Sequence, residues 1–584
     1  MKFFKTVFAV IIGILLFNVL VIFIVFPLIG SLGKKQEVSV KSNSILYLRL
    51  EGEVAEIAND IPIDIPVELP VSQAEAKIGL QNLIAVINKA TDDKNIKGIL
   101  LNTDNMMAST ASVMQIAEAL DHFKSKNKIL YAYSSNLKEN NWLLNRVCTR
   151  SYINPVGQLE FNGYGMELTY FTGLLEKLGI KPEIFYAGNF KSATEAFRLK
   201  NMSEENRLQL TELVSDIYGN YIQAFSKYSA IPKDSLVQLA NTLAVTEPED
   251  AIRYKMADAL KYEDEVWDEL KSKLGYKKTD KLNIETYTKY LSTLPSPKSK
   301  SNMIAVLAAE GSIVDGKGED GTISEKEYVN LLKEIKDNKE IKALVLRINS
   351  PGGSAYASEQ IWYQLQEIKK RIPIVVSMGD VAASGGYYIA TAANKIYANA
   401  NTITGSIGVF GMMFDISNAA NQKLGITFDR VGTGPYADFG TPTRAWSDRE
   451  KEVMNKSIYK VYDLFKSRVS KGRNLSMEQV ETIAQGRVWS GQDAKDLHLV
   501  DELGDLQDAI NEAKRLAKLE SINIINYPKE KSFFDKFLVS FSENEETKVI
   551  KNLLGENYYL LKNIKNHQNQ SMIQTMLPYS IDIY

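Results

Sequence analysis

Along most of the chain, short apolar runs alternate with stretches of helical spacing. In the second half, Ala343–Ile348 is dominated by large aliphatic residues, and Ser358–Lys370 repeats apolar positions at helical intervals. Pro373–Met378 reads as a further strand and Gly386–Ala393 as a further helix. Strands alternating with helices predict an α/β fold with a largely parallel sheet. The opening of the chain follows a different pattern. Val7–Leu32 is almost entirely apolar, interrupted mainly by Asn18, with Lys2 and Lys5 before it and Lys34 and Lys35 after it. The run exceeds the roughly 7–15 apolar residues of a cleavable signal peptide and reaches the about 20 that cross a bilayer. It ends in no Ala-x-Ala exit, and no cysteine follows for lipoprotein processing. Residues 1–35 are therefore expected to form an uncleaved membrane anchor. Lysines at both ends leave its orientation open.

The remainder reads as a duplication. Ile96-Lys-Gly-Ile-Leu-Leu101 echoes Ile341-Lys-Ala-Leu-Val-Leu346, and Lys177-Leu-Gly-Ile180 echoes Lys423-Leu-Gly-Ile426. Asp250-Ala251 and Ala257-Asp258 echo Asp493-Ala494 and Val500-Asp501, while Ile45–Gly52 echoes Ile304–Gly311. The matches run in the same order at a slowly drifting separation. Residues 45–293 are expected to form a first copy and residues 303–527 a second, with the polar, proline-containing linker Pro295–Ser301 between them. A tail, residues 528–584, carries apolar clusters expected to dock as helices.

Composition narrows the function. Hydrophobic residues make up 45% of the 584 and charged residues 24%, as in a globular protein, and the net charge of −2 argues against a nucleic-acid partner. One cysteine, Cys148, excludes an intramolecular disulfide and a cysteine-based zinc site. Only three histidines are present, His122, His498 and His567, far apart in sequence, so a Ser-His-Asp triad is poorly supported.

Four stretches look chemical. Asn349-Ser-Pro-Gly-Gly-Ser354 follows a strand, and Gly352 and Gly353 suit either a tight turn or an oxyanion hole of exposed N–H groups. The aligned first-copy stretch, Asn105-Met-Met-Ala108, has lost both glycines, which favours a functional role. Gly379-Asp-Val-Ala-Ala-Ser-Gly-Gly-Tyr-Tyr388 places Ser384 at a strand-to-helix turn, as a nucleophile or an ordinary N-cap. Its small neighbours, Gly385 among them, allow a substrate carbonyl to approach closely. The first copy has Glu139 in place of Ser384. A serine nucleophile needs a base, and a buried lysine of lowered pKa can serve. Gly188-Asn-Phe-Lys-Ser-Ala-Thr-Glu195 supplies Lys191 in the first copy, where the second has Ala437. An isolated Lys191 would also fit a solvated side chain paired with Glu195. Serine in one copy and lysine in the other is harder to explain that way, and it requires a site that straddles the two copies. The dyad is expected to form within one chain. In Thr402-Ile-Thr-Gly-Ser-Ile-Gly408, Ser406 suits a hydroxyl that orients the lysine, or a structural turn.

Asn349–Gly353, Ala383–Gly386, Thr404–Gly408 and Gly486-Arg-Val-Trp-Ser-Gly491, with the lysine stretch Gly188–Phe197, resemble signal peptide peptidase A in its long, duplicated form. The resemblance covers nearly the whole chain. It implies a tandem duplication of a Clp protease/crotonase-like strand-strand-helix domain behind an N-terminal transmembrane helix. It further implies Ser384 as nucleophile, Lys191 as general base, Gly353 as an oxyanion donor and Ser406 as the orienting hydroxyl, with Gly352 and Gly385 beside them. No cofactor or metal is implied. Expected partners are apolar peptides such as signal-peptide remnants, the bacterial inner membrane through the N-terminal helix, and copies of the chain in a homotetramer. The catalytic part is expected outside the cytoplasm. One departure is His498, where the family usually has glycine, with an effect expected to be local. Tyr387, Tyr388, Phe410, Met412 and Met413 line an apolar groove or belong to the core. Two rivals stand beside this reading: a crotonase-like enzyme acting on acyl thioesters, and a catalytically inactive membrane scaffold.

Overall fold

The computed structural model describes residues 39–56, 77–294, 301–319, 321–529 and 573–577. The proposed anchor, residues 1–35, and most of the tail lie outside them. Among the described residues, no helix is long and apolar enough to cross a membrane.

Two parallel sheets repeat one strand order. In the first, Asn283–Thr286, Ser44–Ala55, Ile96–Met107, Ile129–Leu137, Arg150–Leu159 and Ala259–Leu260 pair in succession, all parallel. In the second, Asn523–Tyr527, Met303–Glu310, Ile341–Ser350, Ile374–Ala383, Lys395–Ala398 and Glu502–Leu503 do the same. The duplication reaches into backbone detail. The helices Glu204–Ser229 and Asp448–Arg473 are both 26 residues long, and a serine N-cap opens each. Gly52 and Gly311 hold φ values of 92° and 94°, and Lys255 and His498 both sit at φ 60°. The left-handed position after the helix Gly491–Asp496 is thus kept in both copies by residues with side chains, Lys255 in one and His498 in the other.

Parallel strands packed on both faces read as unbroken apolar runs, because successive side chains enter opposite cores. Ile99 and Leu101 pack under Leu83, Val86 and Ile116, whereas Leu100 packs with Val266 and Leu270 on the other face. In the second copy Leu344 and Leu346 face one core, while Ala343 and Val345 pack against Leu506, Ala509 and Ile510. Tyr387 and Tyr388 belong to the interior and not to a groove. Both are buried, with their hydroxyls donating to Leu499 O and to Glu359. Strand Ile374–Ala383 also runs beyond its expected end at Met378, carrying its last residue up to Ser384.

A third sheet joins the copies. Lys181–Ala187 from the first pairs antiparallel along its whole length with Val409–Asp415 from the second. Beyond it lie Ile573–Met576, Gly352–Ser354, Ile313–Val314 and Ile323–Ser324. The tail residues 573–576 therefore form a strand, not the helix expected of this region, because two open strand edges supply partners for an extended segment. A buried ion pair between Glu56 and Arg347 also links the copies, as do hydrogen bonds from Ser109 and Ser112 to Asp380.

Candidate active site

Strand Ile374–Ala383 ends in a sharp turn at Ser384, which precedes helix Gly385–Ala390. Ser384 adopts φ 54° and ψ −112°, a backbone that costs a residue with a side chain about 1–3 kcal/mol. The turn is held by Ser384 N–H donating to Gly405 O at 2.8 Å and Tyr388 N–H donating to Ser384 O at 2.7 Å. Strand Ile403–Gly405 pairs with the end of Ile374–Ala383 and delivers Ser406 beside Ser384. Ser406 also has positive φ, at 50°, and its N–H donates to Arg487 O at 2.7 Å.

Lys191 arrives from the first copy on the turn after strand Lys181–Ala187. Phe190 N–H donates to Gln485 O at 2.8 Å and Lys191 N–H to Gly188 O at 3.1 Å. The side chain runs past glycines of the second copy. A Cβ on Gly486 would stand 2.6 Å from Lys191 Cβ, and one on Gly408 would stand 3.1 Å from its Cδ. The amine ends 3.0 Å from Ser384 Oγ, 3.0 Å from Ser406 Oγ and 3.4 Å from Ser406 O. Lys191 is 1% exposed, and Ser384 and Ser406 are 0% exposed. Burial away from water disfavours the ammonium and lowers the Lys191 pKa to about 7. Glu195 is no partner of this amine. It binds Ser203, Asn206 and Arg198, so the surface ion pair considered for Lys191 does not form.

Gly352–Ser354 forms a short strand next to the turn. Gly353 has φ 154°, and a Cβ there would lie 2.0 Å from Ile313 O. Gly352, at φ 98°, faces the N atom of Gly385 closely enough that a Cβ would stand 2.6 Å from it. The structure thus brings Ser384, Lys191, Ser406, Gly352, Gly353 and Gly385 into one place. In the first copy the equivalent chemistry is gone. Asn105–Met107 stays within its strand, and Glu139 is a buried carboxylate accepting from Asn162 N–H and Gly163 N–H.

Gln209 was not legible as a site residue. Its amide donates to Phe190 O at 3.1 Å and Ser192 Oγ at 3.2 Å, and its oxygen accepts from Val488 N–H at 3.2 Å. It ties the lysine turn to the second copy. Only its place on the buried stripe of helix Glu204–Ser229 hinted at it.

The sequence matches the model of peptidase family S49 over residues 122–277 and 366–520, one segment in each copy, and the Clp protease model over residues 297–425. Protease 4 of Salmonella typhi is 34% identical over 472 residues, covering 79% of this chain and 76% of that protein. Protease 4 of Haemophilus influenzae is 33% identical over 506 residues, 83% of this chain and 81% of its own. The chloroplastic serine protease SPPA of Arabidopsis thaliana is 31% identical over 489 residues, 82% of this chain and 70% of its own. A duplicated α/β chain with these relatives, and a match in both halves, belongs to peptidase family S49 as a serine protease.

Proposed function

We propose that the chain is a membrane-anchored endopeptidase that hydrolyses apolar peptides, signal-peptide remnants among them, through a Ser384–Lys191 dyad. The observation that carries this reading is the 3.0 Å separation of Lys191 Nζ and Ser384 Oγ in a site sealed from water. A neutral amine has one lone pair and two N–H groups. The lone pair accepts the Ser384 proton while the N–H groups donate to Ser406 Oγ and Ser406 O. Ser406 Oγ–H in turn reaches Gly486 O at 3.3 Å, which fixes the hydroxyl as an acceptor towards the lysine.

Ser384 Oγ then attacks the substrate carbonyl carbon, and its proton passes to Lys191. The N–H groups of Gly353 and Gly385 stabilise the oxyanion. As the peptide bond breaks, Lys191 returns the proton to the departing amine, leaving an acyl ester on Ser384. Water, deprotonated by the same amine, hydrolyses that ester and regenerates the hydroxyl.

Residues 1–35 anchor the chain in the bacterial inner membrane, with the catalytic part on the extracytoplasmic side, and four chains assemble. These three statements rest on the apolar run Val7–Leu32 and on the resemblance. The deciding test treats the full chain with a serine-directed phosphonate probe and maps the adduct, beside peptide hydrolysis by Ser384→Ala and Lys191→Met. Labelling of Ser384 alone and loss of hydrolysis in both variants are expected. Substantial hydrolysis by either folded variant would refute the dyad.

A further inference from the structure

Glu195 takes no part in the chemistry proposed above, yet it is buried four residues after Lys191. One short stretch carries both: Lys191 precedes the turn Ser192–Thr194, and Glu195 opens helix Glu195–Arg198. The lysine amine enters the second copy, while the Glu195 carboxyl meets the start of helix Glu204–Ser229. It accepts from Ser203 Oγ at 2.5 Å, Ser203 N–H at 3.3 Å and Asn206 Nδ2 at 3.0 Å. Asn206 Oδ1 in turn lies 3.0 Å from Gln209 Nε2. That same amide reaches Phe190 O and Ser192 Oγ, one on each side of Lys191. Asn206 and Gln209 are buried as well. The lysine stretch is thus gripped at residues 190, 192 and 195 by one line of side chains on one helix.

The second copy supplies an internal control. Aligning the two 26-residue helices on their serine N-caps, Ser203 and Ser447, puts Glu450 opposite Asn206 and Val453 opposite Gln209. Val453 is 40% exposed and holds no turn. Glu450 binds Arg444, which also pairs with Asp438. The copy that has Ala437 in place of the lysine has therefore replaced the amides that grip it. A line of buried, mutually bonded polar groups fixes one geometry, and it is costly to leave partly satisfied.

We propose that Glu195 is a positioning residue: through Asn206 and Gln209 it fixes the backbone around Lys191 and holds the amine at Ser384 Oγ, away from water. This rests on the reading of the site as a Ser-Lys peptidase. Several charged or titratable groups flank the line. Arg198 stands 3.6 Å from Glu195 Oε1, and Glu195 and Arg207 both act on the Tyr170 hydroxyl. Arg487 lies over the Phe190 ring at 5.1 Å and pairs with Glu212. None of them is a cause of the lowered Lys191 pKa, which comes from burial alone. How tightly the turn is closed therefore decides two things. It sets the reach from amine to hydroxyl, and it keeps out the water that would return the pKa towards 10.5.

The test compares the full-length chain with Glu195→Gln, which keeps an oxygen for Ser203 but turns a donor towards the donating Asn206 amide. For a quenched apolar peptide, kcat is expected to fall about tenfold with KM unchanged. The midpoint of the kcat/KM profile should move up by about one pH unit. The double variant Glu195→Gln, Asn206→Asp exchanges donor and acceptor across the same contact and should restore both. Asn206→Ala, which spares the bonds to Ser203, should behave as Glu195→Gln does and serves in its place if that chain does not fold. A merely structural role would lower Tm and leave the midpoint where it was. The parent midpoint in a folded single variant, or no recovery in the double, overturns the proposal. Titration of the Lys191 amine by carbon NMR of its Cε, assigned with Lys191→Met, reads the same change without catalysis. A higher titration in Glu195→Gln, in a chain that hydrolyses no peptide, would refute the peptidase reading and leave the positioning standing. Equal titration overturns the positioning whatever the chain hydrolyses.

Discussion

Lys191 Nζ stands 3.0 Å from Ser384 Oγ although 193 positions separate the two residues and each belongs to a different copy of the fold. The antiparallel pairing of Lys181–Ala187 with Val409–Asp415 makes this possible, since it ends in both copies within a few residues of the site.

The first prediction concerns pH. A lysine held near pKa 7 by burial is a base only when neutral. For an uncharged peptide, kcat/KM should rise tenfold per pH unit below about 7 and level off above it. A profile flat from about pH 6 up to the ordinary lysine value of 10.5 would remove Lys191 from the role.

The same group sets a stability signature. Its folded pKa is lowered from 10.5 to about 7, so the unfolded chain binds more protons between those values and stability rises with pH across that window. Below about pH 7 the ammonium is charged in both states and the burial penalty is complete. Lys191→Met should therefore raise Tm at pH 6, by an amount corresponding to a few kcal/mol on the order of the pKa change. The gain should shrink steadily towards pH 10.5. Equal Tm values at pH 6 would mean that the charged amine is well solvated in the fold.

Gly353 admits no side chain. With φ at 154° and Ile313 O 2.0 Å from a new Cβ, Gly353→Ala must push Ile313–Val314 away. The expected cost is about 1–3 kcal/mol, with loss of peptide hydrolysis through displaced N–H groups. Gly165→Ala, where a Cβ meets nothing within 4 Å, is the control and should change neither. Thermal melts and a hydrolysis assay on both variants decide this.

The Glu56–Arg347 ion pair should hold the two copies together. Both side chains are nearly inaccessible, at 3% and 1%, and Arg347 also donates to Ser377 Oγ and Met378 O at 2.8 Å. Glu56→Ala strands a buried guanidinium and is expected to cost about 3–5 kcal/mol in urea unfolding. The double variant Glu56→Met, Arg347→Met should recover most of that loss, because it buries no unpaired charge. A single variant as stable as the parent would relegate the pair to a passive contact.

Much of this was readable in one dimension. Apolar runs such as Ile99–Leu101 identify strands covered on both faces, since adjacent side chains must both escape water. The duplication was legible because each copy meets the same local demands, down to the left-handed positions at Lys255 and His498. The meeting of Lys191 with Ser384 could be expected because each copy had lost what the other kept, Lys191 aligning with Ala437 and Ser384 with Glu139.

Tertiary structure alone decided the rest. Whether Tyr387 and Tyr388 line a groove or fill the core depends on which surface covers them, and periodicity is the same in either case. Gln209 acquires its role only where the lysine turn meets Val488. The tail was expected to be helical, yet residues 573–576 form a strand, since an extended conformation is chosen by partners that lie far away in sequence. Local propensity specified most elements. The site, its depressed lysine pKa and the strand across it arise from desolvation and long-range pairing, which exist only once the two copies have closed on each other.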